Sequence, residues 1–260
     1  MMGTPFQIAV QLYTLRHAGD FDAQIRMARD AGYTLAETGE PVGLTPAEMA
    51  AIMARHGVAA VSCHVDLPDL RRDRAAVMAM AGTLGTKTIV MPWLDQPLRP
   101  ADIAGWQDLA AEMQDHAAAL AAQGYRLCWH NHDFELKSTG DALPLDLLLD
   151  PARPHPLPWQ ADLAWVARAG GDPEALLARH AGRIASIHVK DLAGPDGDPA
   201  EGGWADVGHG TLDWPRLLAA AWAAGARCFI VEHDDPADPA RTIRAGRAFL
   251  DRHLPALAAA

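Results

Sequence analysis

The stretch Arg126-Leu127-Cys128-Trp129-His130-Asn131-His132-Asp133-Phe134-Glu135 decides how the rest of the chain is read. It opens as a short apolar strand and turns, within a few residues, into two imidazoles, an amide and two carboxylates. A strand that only filled a core has no need of such an ending, because buried polar groups cost free energy unless each finds a partner. Metals and polar substrates are partners that offset that cost. Three later apolar segments end in the same way, at Asp162, His188 and Glu232.

Outward from this stretch, short β-branched or apolar segments alternate with amphipathic ones. Strands are expected near 7–12, 33–37, 58–65, 88–91, 126–130, 159–163, 183–189 and 226–232. Helices are expected near 21–31, 46–56, 69–84, 102–123, 143–149, 173–180, 213–224 and 238–250. Thr45-Pro46-Ala47-Glu48 is a strong start signal, with a hydroxyl cap, proline in the first turn and a glutamate three residues on. A Gly140-Asp141 turn precedes the 143–149 segment. Eight strand-then-helix units predict an α/β fold, a parallel sheet closed into a (β/α)8 TIM barrel, with residues 1–260 as one domain.

Composition narrows the function. The chain has 260 residues and a net charge of -11, which argues against a broad nucleic-acid surface. The one dense basic cluster, Arg71, Arg72 and Arg74, reads as a solvated helix start. No run of eighteen apolar residues suggests a membrane span, and the first six residues do not resemble a secretory signal. Cys63, Cys128 and Cys228 are far apart and lie within expected strands, which suggests buried free thiols and a cytoplasmic setting.

In a barrel of this kind the reactive groups come from the C-terminal ends of different strands. Those ends carry Glu37, His64 and Asp66, His130 and His132, Asp162, His188 and Lys190, and Glu232. Such a ring repels itself unless a cation supplies positive charge. Asp162, His188 and Glu232, ending three consecutive strands, are therefore expected to bind one divalent metal: Mn, Mg, Co, Fe or Zn. His130 and His132 share a strand face by the period of two, so one could ligate while the other meets substrate or a neighbouring carboxylate. Lys190 is placed to meet developing negative charge, or to form a salt bridge. His64 reads equally as a substrate contact or a polar core residue. Trp93, Trp165 and Trp204 lie near the expected mouth and would suit an aromatic wall or lid packing. Val207-Gly208-His209-Gly210 lacks the lysine and hydroxyl of a phosphate loop, so nucleotide binding is not expected there.

HNHDFE at 130–135, DLAW at 162–165, HVKDL at 188–192, VGHGTLDW at 207–214 and VEHD at 231–234 resemble the sugar phosphate isomerase/epimerase family of the xylose-isomerase-like TIM barrel superfamily. QLYTLR at 11–16, SCHVDL at 62–67 and MPW at 91–93 fit the same pattern. The resemblance implies a metal held by Glu135, Asp162, His188 and Glu232. Where ketose epimerases of the superfamily carry a glutamate at the end of strand five, this chain has His130, so Glu135, His130 and His132 all stand as candidates for that ligand and for a base opposite Glu232. His209, in the place of a family loop residue, is implied to touch the substrate or Asp66. The implied activity is a metal-dependent isomerase or epimerase of a keto-sugar or related polyol ketone, working through an enediolate. Inosose-type dehydration at the same site, metal-assisted hydrolysis and a non-catalytic sugar-binding barrel are the alternatives. Partners would be a small sugar or polyol and a possible second copy of the chain, with no nucleic acid or membrane.

Overall fold

The computed structural model describes residues 5–39, 43–138 and 142–259. Eight parallel strands close into a barrel: β1 (Gln7–Gln11), β2 (Leu35–Thr38), β3 (Ala59–His64), β4 (Thr88–Met91), β5 (Arg126–His130), β6 (Trp159–Asp162), β7 (Ile184–Val189) and β8 (Cys228–Val231). They pair in chain order, and β1 closes the ring against β8, with Val10 beside Val231. This is the expected (β/α)8 barrel. The expected Gly140-Asp141 turn lies outside the described residues, as do Met1 to Thr4 of the N-terminal segment.

The period of two explains where the core sits. Ala36, Cys63, Trp129, Ala161, Ile187 and Val231 face outward into the shell between strands and helices. The alternate positions, including Glu37, Ser62, His64, His130, Gln160, Asp162 and His188, are drawn together inside the ring. Hydrophobic stabilisation therefore comes mainly from the outer shell, which leaves the upper interior free to be polar. Cys63 and Cys128 are buried free thiols, and Cys228 is half-buried and also free.

Local signals account for the helices. Thr45 and Glu48 cap the helix Pro46–His56 reciprocally, with Thr45 N donating to Glu48 Oε2 at 2.7 Å and Glu48 N donating to Thr45 Oγ1 at 3.3 Å. Three elements differ from expectation, one being the last helix, expected over 238–250, which continues through the Ala/Pro-rich tail to Ala259. The segment read as one helix over 69–84 is two, Leu67–Arg72 and Arg74–Leu84, because Asp73 turns extended and caps the second through Ala75 N and Ala76 N. An extra helix, Leu163–Arg168, follows β6 directly and is capped by Asp162. No helix among the described residues is long and apolar enough to cross a membrane.

The last helix, Pro239–Ala259, packs on β8 through Gly246. A Cβ at Gly246 would lie 2.5 Å from Val231 Cγ1, a stiff side chain on a barrel strand. Gly246→Ala is therefore expected to destabilise the fold by about 1–3 kcal/mol, despite the better helix propensity of alanine. Chemical denaturation would check this, and an unchanged or higher midpoint would show that the strand yields.

Candidate metal centre at the barrel mouth

Parallel pairing places the polar strand ends at one level. Asp162 on β6 is in register with His188 on β7, which is in register with Ile230, two residues before Glu232. His130 on β5 is in register with Gln160 on β6. The result is a cluster in which His130, Asp162 and His188 each bring one ligand atom within 4.8 Å of the others. Glu232 Oε2 lies 2.8 Å from His188 Nδ1. His130, Asp162, His188 and Glu232 are all buried.

Close pairing offsets part of the charge, and burial, with Glu232 nearby, raises the carboxyl pKa of Asp162 and Asp234. Lys190 is fully buried, and its Nζ lies 3.0 Å from Asp162 Oδ2, 2.7 Å from Glu232 Oε2 and 2.8 Å from Asp234 Oδ1. Burial alone would lower the lysine pKa, but Asp162, Asp234 and Glu232 outweigh it and hold the ammonium charged. Burial would likewise neutralise His188, yet Glu232 and Glu37 push it up to about 10. Burial would raise Glu232, but Lys190 and His188 take it well below the ordinary carboxylate range. Burial, helped by the neighbouring His188 and His132, keeps His130 neutral. Burial, then Lys190, does the same to His132.

Below this layer lies a second one. The fully buried Glu37 carboxylate accepts from Gln11 Nε2 at 2.7 Å, Ser62 Oγ at 2.5 Å, Gln160 Nε2 at 2.6 Å and His188 Nε2 at 2.7 Å. His64 Nε2 is 3.0 Å from the same carboxylate and 3.0 Å from Gln160 Oε1. Burial works against the charge on Glu37, and His64 and His188 override it. Sequence reasoning marked Glu37 as a polar strand end but assigned it no role, and it passed over Gln11, Ser62 and Gln160. The signal was available for Gln160 and Ser62, which stand two residues before Asp162 and His64 on the same strand faces.

Glu135 is not brought to the cluster. It sits in the short turn Phe134–Leu136, fully buried, where it accepts from Trp129 Nε1 at 3.2 Å and from His132 N at 2.9 Å. Trp129 belongs to the outer face of β5, opposite His130, so the carboxylate points away from Asp162 and His188. The strand-five group beside those residues is His130. His132 is half-buried at the mouth, its ring 4.9 Å from His130 and 5.0 Å from Trp165. Trp93 is 40% exposed and stands edge-on to His132 at 4.6 Å, while Trp165 packs on Trp204 at 4.7 Å. His64 reaches the lower layer and stacks 5.8 Å from His188. His209 is exposed, in a surface hollow with Asp206, Glu201 and Arg241. The loop that carries it wraps Asp191, which accepts from Gly208 N, Gly210 N and Leu212 N, so these amides hold a carboxylate of the chain itself.

The donor set fits a divalent cation. His130 Nδ1 is buried without a hydrogen bond, Asp162 Oδ2 has the Lys190 ammonium at 3.0 Å as its ion-pair partner, and both residues belong to the three-residue cluster. Two imidazoles with two carboxylates form the N/O set that first-row divalent metals accept.

Three similar proteins frame the geometry. The chain is 29% identical over 138 residues to the Rhizopine catabolism protein MocC of Rhizobium meliloti, an alignment covering 48% of this chain and 42% of that one. The chain thus spans less than half of that relative. A solved sugar phosphate isomerase/epimerase from Parabacteroides distasonis superposes with a TM-score of 0.77 at 18% identity, covering 95% of this chain and 98% of that one. The IOLI protein, solved with a zinc atom bound, superposes with a TM-score of 0.74 at 14% identity, covering 94% and 97%. Residues 25–253 match the model of a single family, and the chain belongs to the xylose isomerase-like TIM barrels.

Proposed function

We propose that this chain is a divalent-metal-dependent isomerase or epimerase that removes the proton next to the carbonyl of a keto-sugar or related polyol ketone. The observation that carries the reading is the convergence of His130, Asp162 and His188 within 4.8 Å, with Glu232 against His188. His130, Asp162, His188 and Glu232 would hold the metal. Bound there, a divalent cation supplies Lewis acidity to a substrate carbonyl and its neighbouring hydroxyl. The two-imidazole, two-carboxylate set favours Zn, Fe, Co or Mn over Mg. The zinc in IOLI, a protein of the same fold, agrees with this.

The side chains divide the remaining work. His132 is neutral and half-buried, with its Nδ1 free of hydrogen bonds, which suits a group that accepts a proton from substrate. Glu232 is a carboxylate from β8, separated from β5 by β6 and β7 around the ring, so the two groups flank the space between them. Lys190 meets negative charge as it develops on a substrate oxygen. Trp93 and Trp165 offer apolar faces to a sugar ring and exclude water. Glu135 ties the His132 amide to the Trp129 indole and so acts as a positioning residue. A second reading, loss of a β-hydroxyl as in an inosose-type dehydratase, is favoured by that placement. With Glu135 turned away, no second glutamate among the described residues stands opposite Glu232 for a two-glutamate epimerisation.

Three outcomes are expected. One equivalent of Zn2+ or Mn2+ binds the metal-stripped protein, and Asp162→Asn weakens it at least about tenfold by titration calorimetry. Wild-type binding in large excess of one, or an unaffected Asp162→Asn, counts against the site. Metal-loaded protein in D2O introduces deuterium next to the carbonyl of a keto-sugar or inosose, and Glu232→Gln slows this by about 10²–10⁴-fold. Mass spectrometry reads the uptake and product analysis separates epimer, isomer and dehydrated ketone. A metal-loaded protein giving no exchange across a broad panel would overturn the enzymatic reading.

The third outcome concerns Glu135. Burial pushes its carboxyl from 4.5 up to about 8. The folded state thus retains a proton that the unfolded chain releases, so its contribution to stability is present at low pH and is lost as pH rises from about 4.5 to about 8. The slope approaches about 1.4 kcal/mol per pH unit in that window. Urea midpoints of Glu135→Gln should lack this component, and parallel wild-type and variant profiles would contradict it.

A further inference from the structure

We infer that Glu37 is a positioning residue for the metal centre: from β2, across the barrel, it fixes the tautomer and the aim of His188, and the metal affinity of the site depends on it. The inference rests on the metal-binding reading above.

The geometry is specific. His188 Nε2 is 2.7 Å from Glu37 Oε1, and His188 Nδ1 is 2.8 Å from Glu232 Oε2. One nitrogen faces the lower layer and the other faces the mouth. The Glu37 carboxylate is surrounded by donors. The Gln11 and Gln160 amide nitrogens, at 2.7 Å and 2.6 Å, can only donate, and Ser62 Oγ and His64 Nε2 add two more contacts. His188 Nε2 and Gln11 Nε2 meet the same oxygen, Glu37 Oε1, at 2.7 Å each, so Nε2 is the His188 nitrogen placed to donate there. Nδ1, which meets Glu232 Oε2 at 2.8 Å in this structure, is then the nitrogen that would give up its proton and face a cation among His130, Asp162 and Glu232. A carboxylate that holds the far nitrogen of a ligating imidazole both orients the ring and raises its basicity. The Gln11, Ser62 and Gln160 contacts in turn lock Glu37, so the aim of His188 is set by four strands other than its own and that of Glu232.

Zn2+ is the probe. Its affinity for metal-stripped protein is measured by competition with a chromophoric chelator for wild type, Glu37→Gln and Ser62→Ala. Glu37→Gln is expected to bind Zn2+ about 10- to 100-fold more weakly. Ser62→Ala removes one donor to Glu37 without touching His188 and is expected to stay within about threefold of wild type, a difference below about 1 kcal/mol. Equal loss in both variants would assign the effect to general loosening and overturn the inference. Nitrogen NMR of Zn2+-loaded, 15N-histidine wild type gives a second readout that needs no variant. His188 should show a protonated, slowly exchanging Nε2 and a metal-bound Nδ1, and a metal-bound Nε2 overturns the inference even if Glu37→Gln does not fold. Zn2+ binding that is intact in wild type and unchanged in Glu37→Gln overturns this inference alone. A wild type that binds no Zn2+, Mn2+ or Co2+ overturns the metal reading itself.

Discussion

The upper barrel is governed by the cost of keeping ions out of water. Glu37, Asp162, Glu232, His188 and Lys190 are all buried in one small volume. Each unpaired ion there costs several kcal/mol, and a pair recovers that only when its geometry is good and its remaining polar atoms are satisfied. The side chains obey this closely. Glu37 is ringed by donors from four other strands, and Lys190 is held by three carboxylates. Among the buried atoms without a hydrogen bond, His130 Nδ1 falls within the group best suited to a cation. The unsatisfied remainder of an otherwise compensated network is thus where added chemistry fits.

The loops around the mouth follow the same constraint by local means. Asp162 uses one oxygen, Oδ1, to cap the helix Leu163–Arg168 through Trp165 N, which fixes the orientation of the other. Asp191 collects the amides of the 207–212 loop and brings that loop back to the end of β7. Lys190 O accepts from Trp214 Nε1, so the backbone beside the buried ammonium is also anchored. Glu135 ties the turn after β5 to Trp129. The residues that contact one another at the mouth are therefore held by short-range backbone bonds, and rigid strands supply the spacing between them.

Much of this was legible in the residues. The eight strands follow from apolar segments of the right length between clear helix starts and stops. Asp162, His188 and Glu232 were identifiable because a polar residue at the end of an apolar strand has nowhere to go but the mouth. Glu135, implied as a ligand only by the family resemblance and with His130 and His132 open beside it, lies five residues past His130, beyond the reach of strand periodicity, where a turn decides direction. Asp73 split a helix whose periodicity ran through it, because its side chain competes for the backbone amides of Ala75 and Ala76. His209 stands in a loop whose glycine amides are taken by Asp191, and its own side chain is left exposed.

By itself the sequence determined the barrel, the order of its strands and the polar character of their ends, since alternation, caps and turns act over a few residues. Only the tertiary structure decided which polar ends meet. Glu37 and His188 are 151 positions apart, and no local pattern links them. Their contact arises because closing the ring sets β2 across the interior from β7, where two buried groups of opposite charge have only each other and their neighbours for solvent. The same closure turned Glu135 outward to an indole and left His130 beside Asp162, a choice made by the direction of each side chain once the strands were fixed.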